Sequence, residues 1–93
     1  MSRLWMIAYD IVDDARRRRI ADILENFGRR VQWSVFECQL GRNELDELRL
    51  LLQAEMDQEM DSIRWYPVCE WCRDRVVWQG QGDRGDQLPY TVI

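Results

Sequence analysis

Residues 3–28, RLWMIAYDIVDDARRRRIADILENFG, carry the pattern that decides the fold. The run Arg3–Tyr9 is short, apolar and rich in β-forming residues, which is typical of a buried strand, and it is followed by a single acid, Asp10. Beyond it, apolar residues recur at helical spacing and give one apolar face (Ile20, Ile23, Leu24 and Phe27). Gly28 then offers a natural C-terminal stop. The pattern predicts a buried strand followed at once by an amphipathic helix.

The junction between this strand and this helix is highly charged. Two acids that can cap the helix come first (Asp13 or Asp14), and Arg16–Arg19 fill its first turns. The helix must begin near the end of the strand, so most of these arginines are expected to lie close to Asp10, whereas Arg18 points away from the apolar face. The candidates for contact with a site or a phosphate are therefore Arg16, Arg17 and Arg19.

A carboxylate at a strand end beside clustered guanidinium groups suits a metal-assisted phosphodiester site or a clamp on a nucleic-acid backbone. Two simpler interpretations compete with this one. Asp10 can merely end the strand and satisfy backbone amides of the turn. The arginines can form a solvated helix face that pairs with nearby acids (Asp14, Asp22 and Glu25).

The rest of the chain alternates strand-like and helix-like segments. Residues 30–40 are strand-like, either as one long strand or as two with a reversal near Trp33-Ser34. A second helix, with Asn43 as its N-cap, is predicted from its apolar stripe (Leu45, Leu48, Leu52 and Met56). Further strand-like segments are 63–69, bent at Pro67, then 76–78 and 88–93, the last behind a Gly-rich linker at 79–87. We expect an α+β, ferredoxin-like βαββαβ domain over residues 1–80, and a linker and C-terminal strand for dimer or partner docking over 81–93.

Composition restricts the chemistry. The 93 residues carry a net charge of −4, all 13 basic residues are Arg, and there is no His. Any nucleic-acid binding must therefore come from local patches, and any metal site must use carboxylates, which suits Mg²⁺ or Mn²⁺. A core this small favours a homodimer. Without a signal-peptide pattern or an apolar run long enough to span a membrane, we expect a cytoplasmic protein.

Three cysteines, an odd number in a chain that we expect to be cytoplasmic, argue against a disulfide framework. Cys69 and Cys72 form a C-x-x-C pair, but only Cys38 is left to complete a zinc site that needs four ligands. We interpret the thiols as structural or incidental.

Three motifs resemble those of the CRISPR-associated Cas2 family, in the right order across residues 3–80. The first is Tyr9-Asp10-Ile11-x-Asp13-Asp14-x-x-Arg17, the second is Gly28-x-Arg30-Val31-Gln32-x-Ser34-Val35-Phe36, and the third is Asp61-Ser62-Ile63-Arg64-x-Tyr66-Pro67. The resemblance implies a ferredoxin-like homodimer whose last strand crosses to the other subunit. It implies that Asp10 binds the metal, Mg²⁺ or Mn²⁺. The functional residues implied besides Asp10 are Arg17, Arg19, Arg30, Ser34 and Phe36.

The resemblance implies two activities. One is an adaptor that joins two dimers of the CRISPR integrase while a captured DNA fragment is inserted into the CRISPR array as a new spacer. This role needs the arginines and the tail but not Asp10. The other is a metal-dependent endonuclease on RNA or double-stranded DNA, in which a divalent ion lies between the two Asp10 carboxylates of a dimer. A toxin-type ribonuclease of similar fold is an alternative. A small-ligand regulator is a more distant one, since its Gly-rich loop would have to be the late stretch 80–85.

Overall fold

The computed structural model describes residues 2–69, 75, 77–78 and 91–92. The elements run in the order β1 (Arg3–Asp10), α1 (Asp14–Glu25), β2 (Arg29–Gln32), β3 (Val35–Leu40), α2 (Arg42–Glu55), β4 (Ser62–Val68), β5 (Val77–Trp78) and β6 (Thr91–Val92). The predicted linker 79–87, Cys72 and the proposed domain boundary at residue 80 lie outside the described residues.

The first four strands form an antiparallel sheet in the order β2-β3-β1-β4. This order, with one helix after β1 and one after β3, is the ferredoxin-like βαββαβ plan, and the predicted fold class is confirmed. β5 pairs in parallel with β6 of the same chain, through Val77–Thr91 and Trp78–Val92. Among the described residues, no helix has the length and apolar content to cross a bilayer.

The core lies between the two helices and one face of the sheet. Its fully buried side chains alternate along β1 and β3 and recur at helical spacing in α1 and α2 (Ile7, Phe36, Cys38, Ile20, Leu24, Leu48 and Leu52). Trp5 and Trp65 pack beside it edge-to-face, with ring centroids 6.2 Å apart. Burial also raises the pKa of the Cys38 thiol to about 12.

The β2–β3 reversal falls at Trp33-Ser34, so the second of the two alternatives for residues 30–40 is confirmed. No Gly or Pro marks this turn. A bulge between Arg30 and Gln32 accompanies it and breaks the regular register of β2 against β3. Pro67 lies within β4, which is an edge strand of the four-stranded sheet, and the strand continues through it.

Two predicted helix ends are wrong. Asn43 is not the N-cap of α2: the cap is Gly41, whose N–H donates to Glu44 Oε1 at 2.9 Å, so a reaching carboxylate replaces a capping side chain. Gly28 does not end α1, which stops at Glu25 with Asn26 as its C-cap. Gly28 is needed for space, because a Cβ there would lie 2.1 Å from the Glu37 carbonyl oxygen and 2.5 Å from Cys38 Sγ.

Candidate active site and nucleic-acid interface

Asp10 is the last residue of β1, which is one of the two central strands, and it lies opposite Ser62 of β4. Its side chain is exposed and forms no hydrogen bond or ion pair with the other described residues. The simpler interpretation, a carboxylate that satisfies turn amides, is not what this geometry shows. The carboxylate is available to an external ligand.

The connection between β1 and α1 is held by Arg17. Its Nε and Nη2 donate to the Ile11 carbonyl oxygen at 3.2 and 3.0 Å, Nη2 also reaches the Val12 carbonyl at 3.4 Å, and Nη1 pairs with Asp14 at 2.7 Å. Asp13 caps α1 by accepting from the Arg16 N–H at 2.8 Å, as the sequence predicts. Arg17 thus fixes the backbone directly after Asp10, using donors that would otherwise be open to phosphate.

Asp61 anchors the same junction from the other side. Its Oδ1 accepts from the Val12 N–H at 3.0 Å and from Arg16 Nη2 at 3.1 Å, while Oδ2 accepts from Arg16 Nε at 2.5 Å and from the Asp57 N–H at 2.9 Å. The hydrogen bond from Arg16 holds the pKa of the Asp61 carboxyl well below its usual range, against the opposing effect of burial. Arg16, predicted to contact nucleic acid, is therefore joined to a buried carboxylate.

Arg19 pairs with Glu55 and so links α1 to the end of α2. None of the three helix arginines named as candidates contacts Asp10: Arg16, Arg17 and Arg19 each have another carboxylate partner. Arg16 and Arg17 lie at the junction that follows the strand, whereas the contact of Arg19 is with the end of α2, and the sequence could not assign any of these partners. Their roles toward a nucleic acid stay predictions.

Arg30 is exposed and forms no ion pair with the described residues. Its guanidinium carbon lies 5.3 Å from the centroid of the Phe36 ring, a cation–π contact, and Phe36 itself is fully buried against Tyr9. Burial raises the pKa of the Tyr9 phenol, while the positive charges of Arg30 and Arg17 oppose this rise. Phe36 therefore supports Arg30 from the core and presents no exposed face for a base.

The β2–β3 turn lies beside Tyr9 and Arg30, at the end of the strands where β1 stops. The Ser34 carbonyl accepts a hydrogen bond from the Tyr9 N–H at 3.0 Å, which fixes the turn beside the end of β1. Between this turn and α1 lies an open cavity of about 460 Å³, lined in part by Tyr9, Arg18, Arg30 and Trp33. Arg18 and Trp33, neither of which is among the predicted site residues, both line it.

The side chains that could bind a metal ion limit which ion this chain could hold. No group of three or more His, Cys, Asp or Glu side chains that could hold an ion occurs among the described residues. An exposed, unpartnered carboxylate still fits Mg²⁺, which keeps several waters and is commonly held by one or two carboxylates together with substrate phosphates. One chain therefore offers part of such a site.

The model of the family described as "CRISPR associated protein Cas2" matches residues 2–76. The chain belongs to the Cas2 family. A CRISPR-associated endoribonuclease Cas2 of Synechocystis is 51% identical over 65 residues, which are 70% of this chain and 71% of that protein. A CRISPR-associated endonuclease Cas2 of Thermus thermophilus is 47% identical over 71% of this chain and 73% of its own.

Solved structures extend the Cas2 likeness to the fold. A hypothetical protein from Thermus thermophilus superposes with a TM-score of 0.83 at 40% identity, covering 90% of this chain and 98% of that one. Streptococcus pyogenes Cas2 gives a TM-score of 0.69 at 32% identity over 75% of this chain and 92% of its own. The family resemblance noted in the three motifs is confirmed.

Proposed function

We propose that this Cas2-family protein is a homodimeric, metal-dependent endonuclease that hydrolyses phosphodiester bonds, with RNA as its first substrate to test. The observation that carries the proposal is Asp10, an exposed carboxylate without a partner in the described chain, at the end of a central strand. The names of the relatives, endoribonuclease and endonuclease, support the same reaction class.

Asp10 would hold Mg²⁺ or Mn²⁺, and a second copy of the chain would supply a second Asp10. When bound, such an ion supplies Lewis-acid polarisation of a phosphoryl group. Arg30 would stabilise the negative charge that builds on the phosphoryl oxygens. Its guanidinium packs on the buried Phe36 ring, and it has no acidic partner among the described residues. Arg17 keeps the backbone after Asp10 in place through its contacts with Ile11 and Val12.

Cleavage of single-stranded RNA and of duplex DNA, with Mg²⁺ or Mn²⁺ and across pH, tests this proposal. Asp10→Ala should abolish cleavage. Asp46→Ala is the matched control, because Asp46 is another exposed acid without a partner in the described chain and lines a different cavity. Equal cleavage by wild type and Asp10→Ala would refute the assignment of Asp10, and no cleavage by the wild type under any condition would refute the nuclease.

A second candidate function is the adaptor of spacer acquisition, in which the dimer binds DNA and the CRISPR integrase. The observation that favours it is a second cavity of about 500 Å³ at the other end of β1, lined by three arginines that have no acidic partner in the described part of the chain (Arg3, Arg42 and Arg49). Arginines at both ends of the sheet suit an extended phosphate backbone. If the adaptor role is correct, Asp10→Ala should keep spacer acquisition with the integrase, whereas Arg42→Gln combined with Arg49→Gln should reduce it.

A further inference from the structure

The structure distinguishes Trp33 from the other tryptophans whose side chains it describes. Trp33 is 80% exposed in the turn between β2 and β3, whereas Trp5 and Trp65 are half-buried against each other and the core. A single exposed apolar side chain is ordinary on a protein surface. Trp33 differs because of what surrounds it.

Trp33 lines the same cavity as two arginines that have no ion-pair partner among the described residues, Arg18 and Arg30. The volume of this cavity, about 460 Å³, falls in the range of small-molecule sites, about 300–1,000 Å³. Three carboxylates, Asp14, Asp22 and Glu25, also line it. They disfavour a phosphate inside the cavity, but they can accept hydrogen bonds from the exocyclic amino groups of a nucleobase.

The turn that carries Trp33 lies at the same end of the strands as Asp10. The hydrogen bond from the Tyr9 N–H to the Ser34 carbonyl, at 3.0 Å, and the pairing of Ala8 with Val35 place it directly beside the end of β1. Neighbouring strands are about 4.8 Å apart. A nucleotide held at Trp33 would therefore lie beside the strand end that carries Asp10, which is not itself part of the cavity lining.

We propose that Trp33 is a stacking platform for an unpaired nucleobase, and that the cavity beside it takes that base while Arg18 and Arg30 attract the adjoining phosphates. This inference rests on the proposed function, since it places one nucleotide of the substrate next to the site of cleavage. In a duplex both faces of a base are covered by its neighbours, so an indole can stack only on an unpaired base or after a base is extruded. The occupant is therefore single-stranded nucleic acid.

The test is the affinity of the full chain for a labelled single-stranded oligoribonucleotide, its DNA equivalent and a duplex of the same length, without divalent ions so that no cleavage occurs. Trp33→Leu should weaken binding of both single strands by about 5- to 50-fold, whereas Trp33→Phe should weaken it by less than about threefold. Duplex affinity should stay within about twofold. Tyr66→Leu, at another exposed aromatic side chain, is the matched control and should change nothing.

Tryptophan emission gives a second measurement that needs no unstable variant. The single strand should quench the emission of the wild type, and this quenching should be largely lost in Trp33→Phe. Unchanged single-strand affinity in Trp33→Leu, equal losses for single strand and duplex, or no quenching would overturn the proposal. A changed sedimentation coefficient in Trp33→Leu would also overturn it, because Trp33 would then contact a second copy.

Cleavage is measured separately: a failed Asp10 test with a positive Trp33 result refutes the nuclease only, and the reverse refutes the stacking site only.

Discussion

Replacing Asp61 with Asn should destabilise the fold strongly, although the two side chains have nearly the same shape. The amide oxygen can take the place of Oδ1 and keep its contacts with the Val12 N–H and Arg16 Nη2. The amide nitrogen must then take the place of Oδ2, where it faces two donors, Arg16 Nε and the Asp57 N–H. Flipping the amide only exchanges one pair of lost acceptors for the other.

The size of the effect follows from these contacts. Asp61→Asn removes two hydrogen bonds, one of them charge-assisted, at a side chain with no solvent exposure. The new amide NH₂ group then faces two other donors, Arg16 Nε and the Asp57 N–H, with no acceptor between them. For a domain of this size, losses of that kind correspond to a fall in Tm of about 10–25 °C. The fall should come without any change at Asp10, whose carboxylate has no contact with Asp61.

The effect should depend on pH in a defined direction. Because Arg16 lowers the pKa of Asp61 in the folded chain below its ordinary value of 3.8, the carboxylate stabilises the fold fully above that value and loses its contribution as the pH falls further. The difference in Tm between wild type and Asp61→Asn should be constant from pH 5 to 7, and it should narrow below about pH 4.

Thermal unfolding followed by circular dichroism over this pH range measures both quantities. Asp46→Asn is the control, because this exposed acid has no partner in the described chain and should leave Tm within about 2 °C of the wild type. A Tm difference that does not change with pH would refute the ion pair as its cause. A Tm for Asp61→Asn equal to that of the control would refute the reasoning as a whole.

Three further predictions concern the site and the core. Asp10→Ala should leave Tm within about 2 °C of the wild type, as its side chain has no partner in the described chain, and a calorimetric scan beside the cleavage assay checks this. Gly28→Ala should lower the free energy of unfolding by about 3 kcal/mol or more in denaturant titrations, because its Cβ would meet backbone of β3, whereas Gly41→Ala, whose Cβ meets only a flexible glutamate at 3.3 Å, should cost about 1 kcal/mol or less. Cys69 is exposed and should react with a thiol reagent in the native protein, while Cys38, buried and with a pKa of about 12, should react only on unfolding.

Local patterns predict the fold well here because its elements are strongly periodic. The strand ending at Asp10, the α1 face built on Ile20 and Leu24, and the order of the elements all follow from apolar spacing. The error at Gly28 comes from an interaction between elements, whereas the error at Asn43 comes from Glu44, which caps α2 from within the helix. Gly28 has the composition of a helix stop, but its small size serves the approach of β3, which no local pattern contains.

The candidate site shows the same division. The exposed position of Asp10 follows from its place after the apolar run. The sequence could not show that Arg16 forms an ion pair with Asp61, which lies 45 residues away. That pair forms only once β4 is docked beside β1. Nor could it show that Trp33 faces solvent, since aromatic residues in a strand-like run are usually packed.

The arrangement of arginines supports the proposal that a chain with a net charge of −4 binds nucleic acid. Arg16, Arg17, Arg19 and Arg29 pair with acids of the same chain. Among the described residues, the unpaired arginines that line the two cavities above lie in two groups, one at each end of β1. These ends are about 20 Å apart, well beyond the screening length of about 10 Å at 0.1 M salt, so the groups act independently.

A duplex long enough to reach both groups should therefore lose affinity more steeply with salt than a short single strand held at Trp33. Arg42→Gln should make the duplex slope shallower by up to about 0.9, the value for one phosphate contact, and should leave the slope for the short strand unchanged. Titrations at several salt concentrations measure both slopes. Equal changes for the two ligands would mean that a single surface binds both, and the separation of the two arginine groups would then have no role in binding.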